Sequence, residues 1–91
     1  MTAAPFFLQG EVDLATAPAV ASALDEHIQA NPGDVKVDCS DLTFIDSSGL
    51  AVLAHAAQRL RSEDRALKLV ALSDLCRRTI EICALDDLLL P

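Results

Sequence analysis

The sequence predicts an α/β domain: a mixed, mostly parallel sheet of four to five strands, with helices packed chiefly on one face. Three observations predict it. Short apolar or alternating runs take turns with longer segments whose apolar residues recur every three to four positions. Proline, glycine and asparagine stand where a helix must stop. Apolar residues make up 52% of the 91 residues and charged residues 23%, which suits one core in a single domain over residues 1–91.

The elements follow in order. Pro5 to Leu8 reads as a short strand ended by Gln9 and Gly10, and Gly10-Glu11-Val12-Asp13 as a turn or a second short strand. If that segment is extended, Glu11 and Asp13 share one face. Thr16 to Ala30 reads as a helix, with Thr16 as its N-cap and Pro18 in the first turn, where a missing N–H costs nothing. Ala17, Val20, Ala21, Leu24 and Ile28 form its inward stripe, His27 lies on its solvent side, and Asn31-Pro32-Gly33 stops it.

Val35, Val37 and Cys39 alternate with polar residues in a strand that kinks at Ser40-Asp41 and continues as a buried run, Leu42 to Ile45. A second helix follows Ser48 and buries Leu50, Leu53, Ala54, Ala57 and Leu60, with Arg59 and Arg61 near its C-terminus. Ala66 to Leu72 is a further strand. Ser73 caps a helix over Asp74 to Ala84, and Leu85 to Pro91 reads as a turn or an edge segment. Consecutive parallel strands joined by helices imply right-handed crossovers.

Charge and cysteine usage narrow the function. A net charge of −7 opposes nucleic-acid binding and attachment to an anionic membrane, because both need clustered Lys and Arg. It suits a basic protein partner. Cys39, Cys76 and Cys83 show no metal-ligand spacing and read as reduced, structural thiols of a cytoplasmic protein. The opening MTAAPFFLQGEVD lacks the basic and long apolar regions of a signal peptide, and no run approaches the roughly 18 apolar residues of a membrane span.

Chemistry concentrates at Asp46-Ser47-Ser48-Gly49, where a strand feeds a helix and free N–H groups meet two hydroxyls and a carboxylate. A Ser-His-Asp relay needs a histidine within hydrogen-bond reach of Ser47. His55 lies two helical turns away, and nothing in the sequence brings His27 close, so no catalytic residue is assigned. There is no phosphate-binding glycine motif with a lysine, and no cofactor is expected. Asp38, Asp41 and Asp46 read as solvated acids and turn caps, not as a metal site. Asp-Ser-Ser-Gly can serve simply as an N-cap, worth about 1 kcal/mol. One hydroxyl suffices for that, which leaves the other spare, and Gly49 leaves the turn open to the approach of another chain.

Asp41-Leu42-x-x-x-Asp46-Ser47-Ser48-Gly49-Leu50, preceded by Gly10-Glu11-Val12-Asp13, resembles the STAS domain of anti-sigma factor antagonists. Both motifs have the family's spacing, and the order of elements agrees across most of the chain. The resemblance implies a module that is not an enzyme. Its unphosphorylated form binds an anti-sigma factor that is a serine kinase, and a serine phosphatase resets it. Carried over, Ser47 is the phosphorylated residue, while Asp13, Asp46, Ser48, Gly49 and Leu50 form the partner-binding surround. The chain departs from many relatives in its short first strand and its end at Pro91, which leaves room for a paired sheet edge in a homodimer. A STAS subunit of a lipid-transport ABC system, bound to its ATPase, is the alternative, although that group often carries Thr or Gly near the motif serines.

Overall fold

Three strands carry the fold in the computed structural model, which describes residues 4–91. Strand β1 (Phe6–Val12) leads to helix α1 (Ala17–Ala30), then β2 (Val35–Ile45), α2 (Ser47–Arg61), β3 (Leu67–Val70), α3 (Asp74–Ile82) and α4 (Asp86–Leu89). The strands lie side by side in the order β1-β2-β3, and both pairings are parallel. Among the described residues the sheet therefore has three strands instead of four to five, and it is parallel instead of mixed. Met1, Thr2 and Ala3, which open the expected leaderless N-terminus, lie outside the described residues.

The lower strand count has a physical cause. Gly10-Glu11-Val12 starts no second strand but continues β1, through a φ of +69° at Gly10 that glycine adopts without strain. The kink at Ser40-Asp41 is a β-bulge inside one long strand: between Phe7 and Gln9, β1 advances two residues while β2 goes from Asp38 to Asp41. A second irregularity follows, since Gly10 pairs with Leu42 and Glu11 with Phe44. Each extra residue shifts the alternation, so the buried positions of β2 run Val35, Val37, Cys39, Leu42, Ile45. The expected buried run Leu42 to Ile45 is thus buried only at its ends; Phe44 is 44% exposed.

Burial is one-sided. Leu8 and Val12, Val37 and Cys39, and Leu67 and Leu69 lie in the core, whereas Phe7 faces out. Two crossovers running the same way across the sheet put α1 and α2 on the same face, and these helices pack on each other. The other face stays largely open, as expected. Helix α2 presents Leu50, Leu53, Ala57 and Leu60 to the core, one apolar residue every three or four positions.

β3 stops at Val70, before Ala71 turns to a φ of +60°, and it pairs β2 only from Val35 to Asp38. Helix α3 also packs on β2, through Cys76 and Ile80. The tail, expected as a turn or edge segment, forms α4, and its fully buried Leu89 locks it against the core. Two further expectations change. His27 is half-buried and meets the ring of Phe6 edge-on at 5.4 Å, so it is not a solvent-side residue. Cys83 is exposed, while Cys39 and Cys76 are buried and burial pushes the Cys39 thiol up to about 12.

One long-range tie was not foreseen. Arg65 reaches back to the end of α1: its Nε donates to the Gly33 carbonyl at 2.7 Å and its Nη2 to that of Asn31 at 3.0 Å. Nearby, the Asp34 carboxylate accepts the Ala66 N–H at 2.9 Å. These bonds satisfy carbonyls that a helix end leaves open and join the start of β2 to the start of β3. Arg65→Met is expected to lower unfolding free energy by about 1–2 kcal/mol, read from the denaturant midpoint. In the native protein Cys83 is expected to react with a thiol reagent at pH 8, and Cys39 only on unfolding, as mass spectrometry after timed labelling will show.

Candidate functional site

A single residue, Asp46, carries the chain from β2 into α2. Its backbone is extended, and its carboxylate turns back onto the helix, where Oδ1 accepts the N–H groups of Ser48 at 2.9 Å and Gly49 at 3.2 Å. Asp46 is therefore the N-cap, and the capping role considered for the serines is taken. Its own N–H donates to the Val12 carbonyl at 3.1 Å, which extends the β1–β2 ladder to the mouth of the helix. Ser47 becomes the first helical residue and is exposed, while Ser48 is half-buried.

Asp13 occupies the matching position at the end of β1. Val12 pairs with Ile45, so Asp13 and Asp46 leave neighbouring strands that stand about 4.8 Å apart. Asp13 Oδ1 accepts the N–H groups of Ala15 at 3.0 Å and Thr16 at 3.1 Å, and its own N–H donates to the Thr16 hydroxyl at 2.9 Å. Thr16 stands at the expected N-cap position but makes no side-chain cap bond; Asp13 holds the turn instead. Glu11 and Asp13 do not share a strand face, because the strand ends between them. Two helix starts, each served by an aspartate, thus open at one end of the sheet.

Gly49 has a different place from the one expected, while Leu50 lies inward as the stripe of α2 predicts, beneath the partner-binding surround that the resemblance implies for it. Both are buried, and Leu50 belongs to the core. A Cβ on Gly49 would stand 2.6 Å from Val12 Cγ1 and 2.8 Å from Ile45 Cγ1, so the glycine admits the helix against the strand ends instead of opening the turn to another chain. These two residues form the floor of the site, while Asp13, Asp46, Ser47 and Ser48 form its surface. At the same end of the sheet lie two exposed apolar residues, Leu14 in the β1–α1 turn, which pattern reading passed over, and Phe44 near the end of β2, which it placed in a buried run. An apolar residue directly after the Asp of the first motif was the available signal for Leu14.

Neither histidine adjoins Ser47. His55 lines an open groove between α1 and α2 with Asp25, Val52 and Arg59, and Asp25 and Arg59 pair across it at 2.7 Å. His27 contacts Phe6 at the far end of β1. Among the described residues no cluster of three His, Cys, Asp or Glu side chains is arranged to hold a metal, and no helix is long and apolar enough to cross a membrane.

Known proteins resemble this chain in sequence and fold. The family model described as "Mlab, STAS domain" matches residues 6–91. The anti-sigma-B factor antagonist of Listeria monocytogenes is 38% identical over 84 residues, covering 91% of this chain and 73% of that protein. The protein of the same name from Staphylococcus aureus is 30% identical over 80 residues, covering 88% and 74%. Among solved structures, an anti-sigma factor antagonist from Mycobacterium paratuberculosis superposes with a TM-score of 0.81 at 30% identity, covering 91% of this chain and 70% of that one. The anti-sigma factor antagonist SpoIIAA in its unphosphorylated form gives 0.67 at 21% identity, covering 84% and 70%, a likeness of fold alone. The chain belongs to the STAS domain family of anti-sigma factor antagonists.

Asp46→Ala is expected to cost about 1 kcal/mol of unfolding free energy and Asp46→Asn much less, because asparagine also caps. Gly49→Ala is expected to cost about 1–3 kcal/mol, since two β-branched side chains must shift. Chemical denaturation of the three variants checks both.

Proposed function

We propose that this chain is an anti-sigma factor antagonist that acts by binding and not by catalysis. Unphosphorylated, it captures an anti-sigma factor that is a serine kinase and so frees a sigma factor for transcription. Phosphorylation of Ser47 by that kinase releases it, and a serine phosphatase restores the binding form. The observation that carries the reading is that Asp46 supplies the α2 cap, leaving Ser47 exposed at the first helical position with its hydroxyl unused for capping. Asp13 and Ser48 flank it on the binding surface. Gly49 and Leu50 act from beneath by fixing where the serine stands. The names of the relatives support the same reading.

Charge explains why such a switch spares the scaffold. A phosphoryl group brings about −1.5 to −2 charges. At the start of α2 the helix dipole favours it by about 0.3–1 kcal/mol, which offsets repulsion from Asp46. Under a docked protein the same group must lose its water, at a cost of several kcal/mol. Each 1.4 kcal/mol is a tenfold loss of affinity, so binding falls far more than stability.

The alternative, a STAS subunit on the ATPase of a lipid-transport ABC system, needs no phosphorylation. Calorimetric titration against the purified anti-sigma factor kinase separates the two. Ser47→Ala is expected to bind like wild type and take up no phosphate by mass spectrometry. Ser47→Asp is expected to bind at least tenfold more weakly, with unfolding free energy unchanged within about 0.5 kcal/mol. Equal affinity of the two variants would remove the switch.

A further inference from the structure

Two apolar side chains at the Ser47 end of the sheet do not join the core. Leu14 is 77% exposed and Phe44 is 44% exposed. Single exposed apolar residues are ordinary on a protein surface. Position and rigidity set these two apart. The Val12–Ile45 pair fixes their level: Leu14 comes two residues after Val12, Ser47 two after Ile45, and Phe44 just before Ile45. Leu14 sits on a turn pinned by the bonds from Ala15, Thr16 and Asp13, so little freedom is left to lose when something covers it. Phe44 lies in a hydrogen-bonded strand and faces the open side of the sheet.

The surroundings of these residues indicate what covers them. Exposed Glu11 pairs in register with Phe44, and exposed Asp41 pairs with Gln9. Phe44 is therefore edged with carboxylates along the strands that lead to Leu14 and Ser47, in a chain of net charge −7. A second copy about a two-fold axis through this patch would set one acidic edge on the other. A partner with an apolar recess and a cationic border complements it.

We propose that Leu14 and Phe44 are the anchors by which an anti-sigma factor grips this chain. Its apolar recess takes Leu14 above Ser47, and its lysine or arginine side chains meet Glu11 and Asp41. The proposal rests on the partner-switching reading and deepens it. A recess that is apolar over Leu14 has nothing to solvate a phosphate on the adjacent serine, so anchoring and switching are coupled.

The test is titration calorimetry and stopped-flow binding with the purified anti-sigma factor serine kinase of the source organism. Leu14→Ser and Phe44→Thr are each expected to weaken binding about ten- to hundredfold with unfolding midpoints unchanged, and Leu14→Met to restore most of the loss. Leu14→Ser also shrinks the affinity ratio between the Ser47 and Ser47→Asp forms. Glu11→Gln with Asp41→Asn slows association and flattens its salt dependence. Wild-type affinity in Leu14→Ser and Phe44→Thr, with Ser47→Asp still weak, overturns the anchors and leaves the switch standing. An unchanged Ser47→Asp ratio in Leu14→Ser overturns the recess above the serine. Equal binding of Ser47→Ala and Ser47→Asp overturns the switch, and the coupling falls with it.

Discussion

The bonds of Asp46 set the geometry of everything around it. Its N–H closes the β1–β2 ladder on Val12, and its carboxylate opens α2 through Ser48 and Gly49. A residue that ends a strand and starts a helix within one step fixes the angle between them. That angle presses Gly49 onto Val12 and Ile45 and places Leu50 in the core. Ser47, held between the cap and the floor, is thereby turned outward.

The same end of the sheet gathers two helix starts and two aspartates from neighbouring strands. Each carboxylate is engaged by backbone N–H groups, so the anionic character of the end is partly neutralised from within. Surface acidity and internal capping therefore come from the same side chains. In the function we propose, partner recognition draws on the exposed side chains of this end and stability on its inward-facing N–H groups.

Much of this was legible in the residues. The helix limits at Asn31 and Ser73 follow from stop and capping chemistry, and Ser73 does accept the Cys76 N–H at 3.2 Å; the start of α1 at Thr16 was placed correctly although Asp13 holds its turn. The strand–turn–helix at Asp46 was readable because its polar run interrupts two apolar ones. The strand count was not, since Gly10 and the apolar tail read as the end of a strand and an edge segment, and only the pairing shows β1 running through Gly10 while the tail stays out of the sheet. The tail defeated pattern reading because four helical residues are too few for a period to show, and their packing on α2 and β3 decides their state. Gly49 was misjudged because a glycine that gives access and one that permits close packing look alike in a sequence. Arg65 was missed because its carbonyl partners lie more than thirty residues away.

The two added residues in β2 carry a consequence for change in this chain. Side chains along a strand alternate, and the first added residue inserts one outward step: Ser40 and Asp41 both lie outside, between the inward Cys39 and Leu42. Removing one of them would bring Leu42 to the second place after Cys39, still facing the core and still opposite Gly10. What would go is the local bend and extra twist that a bulge gives a strand. Length in this stretch therefore tunes the direction in which β2 delivers its end and leaves the choice of face untouched.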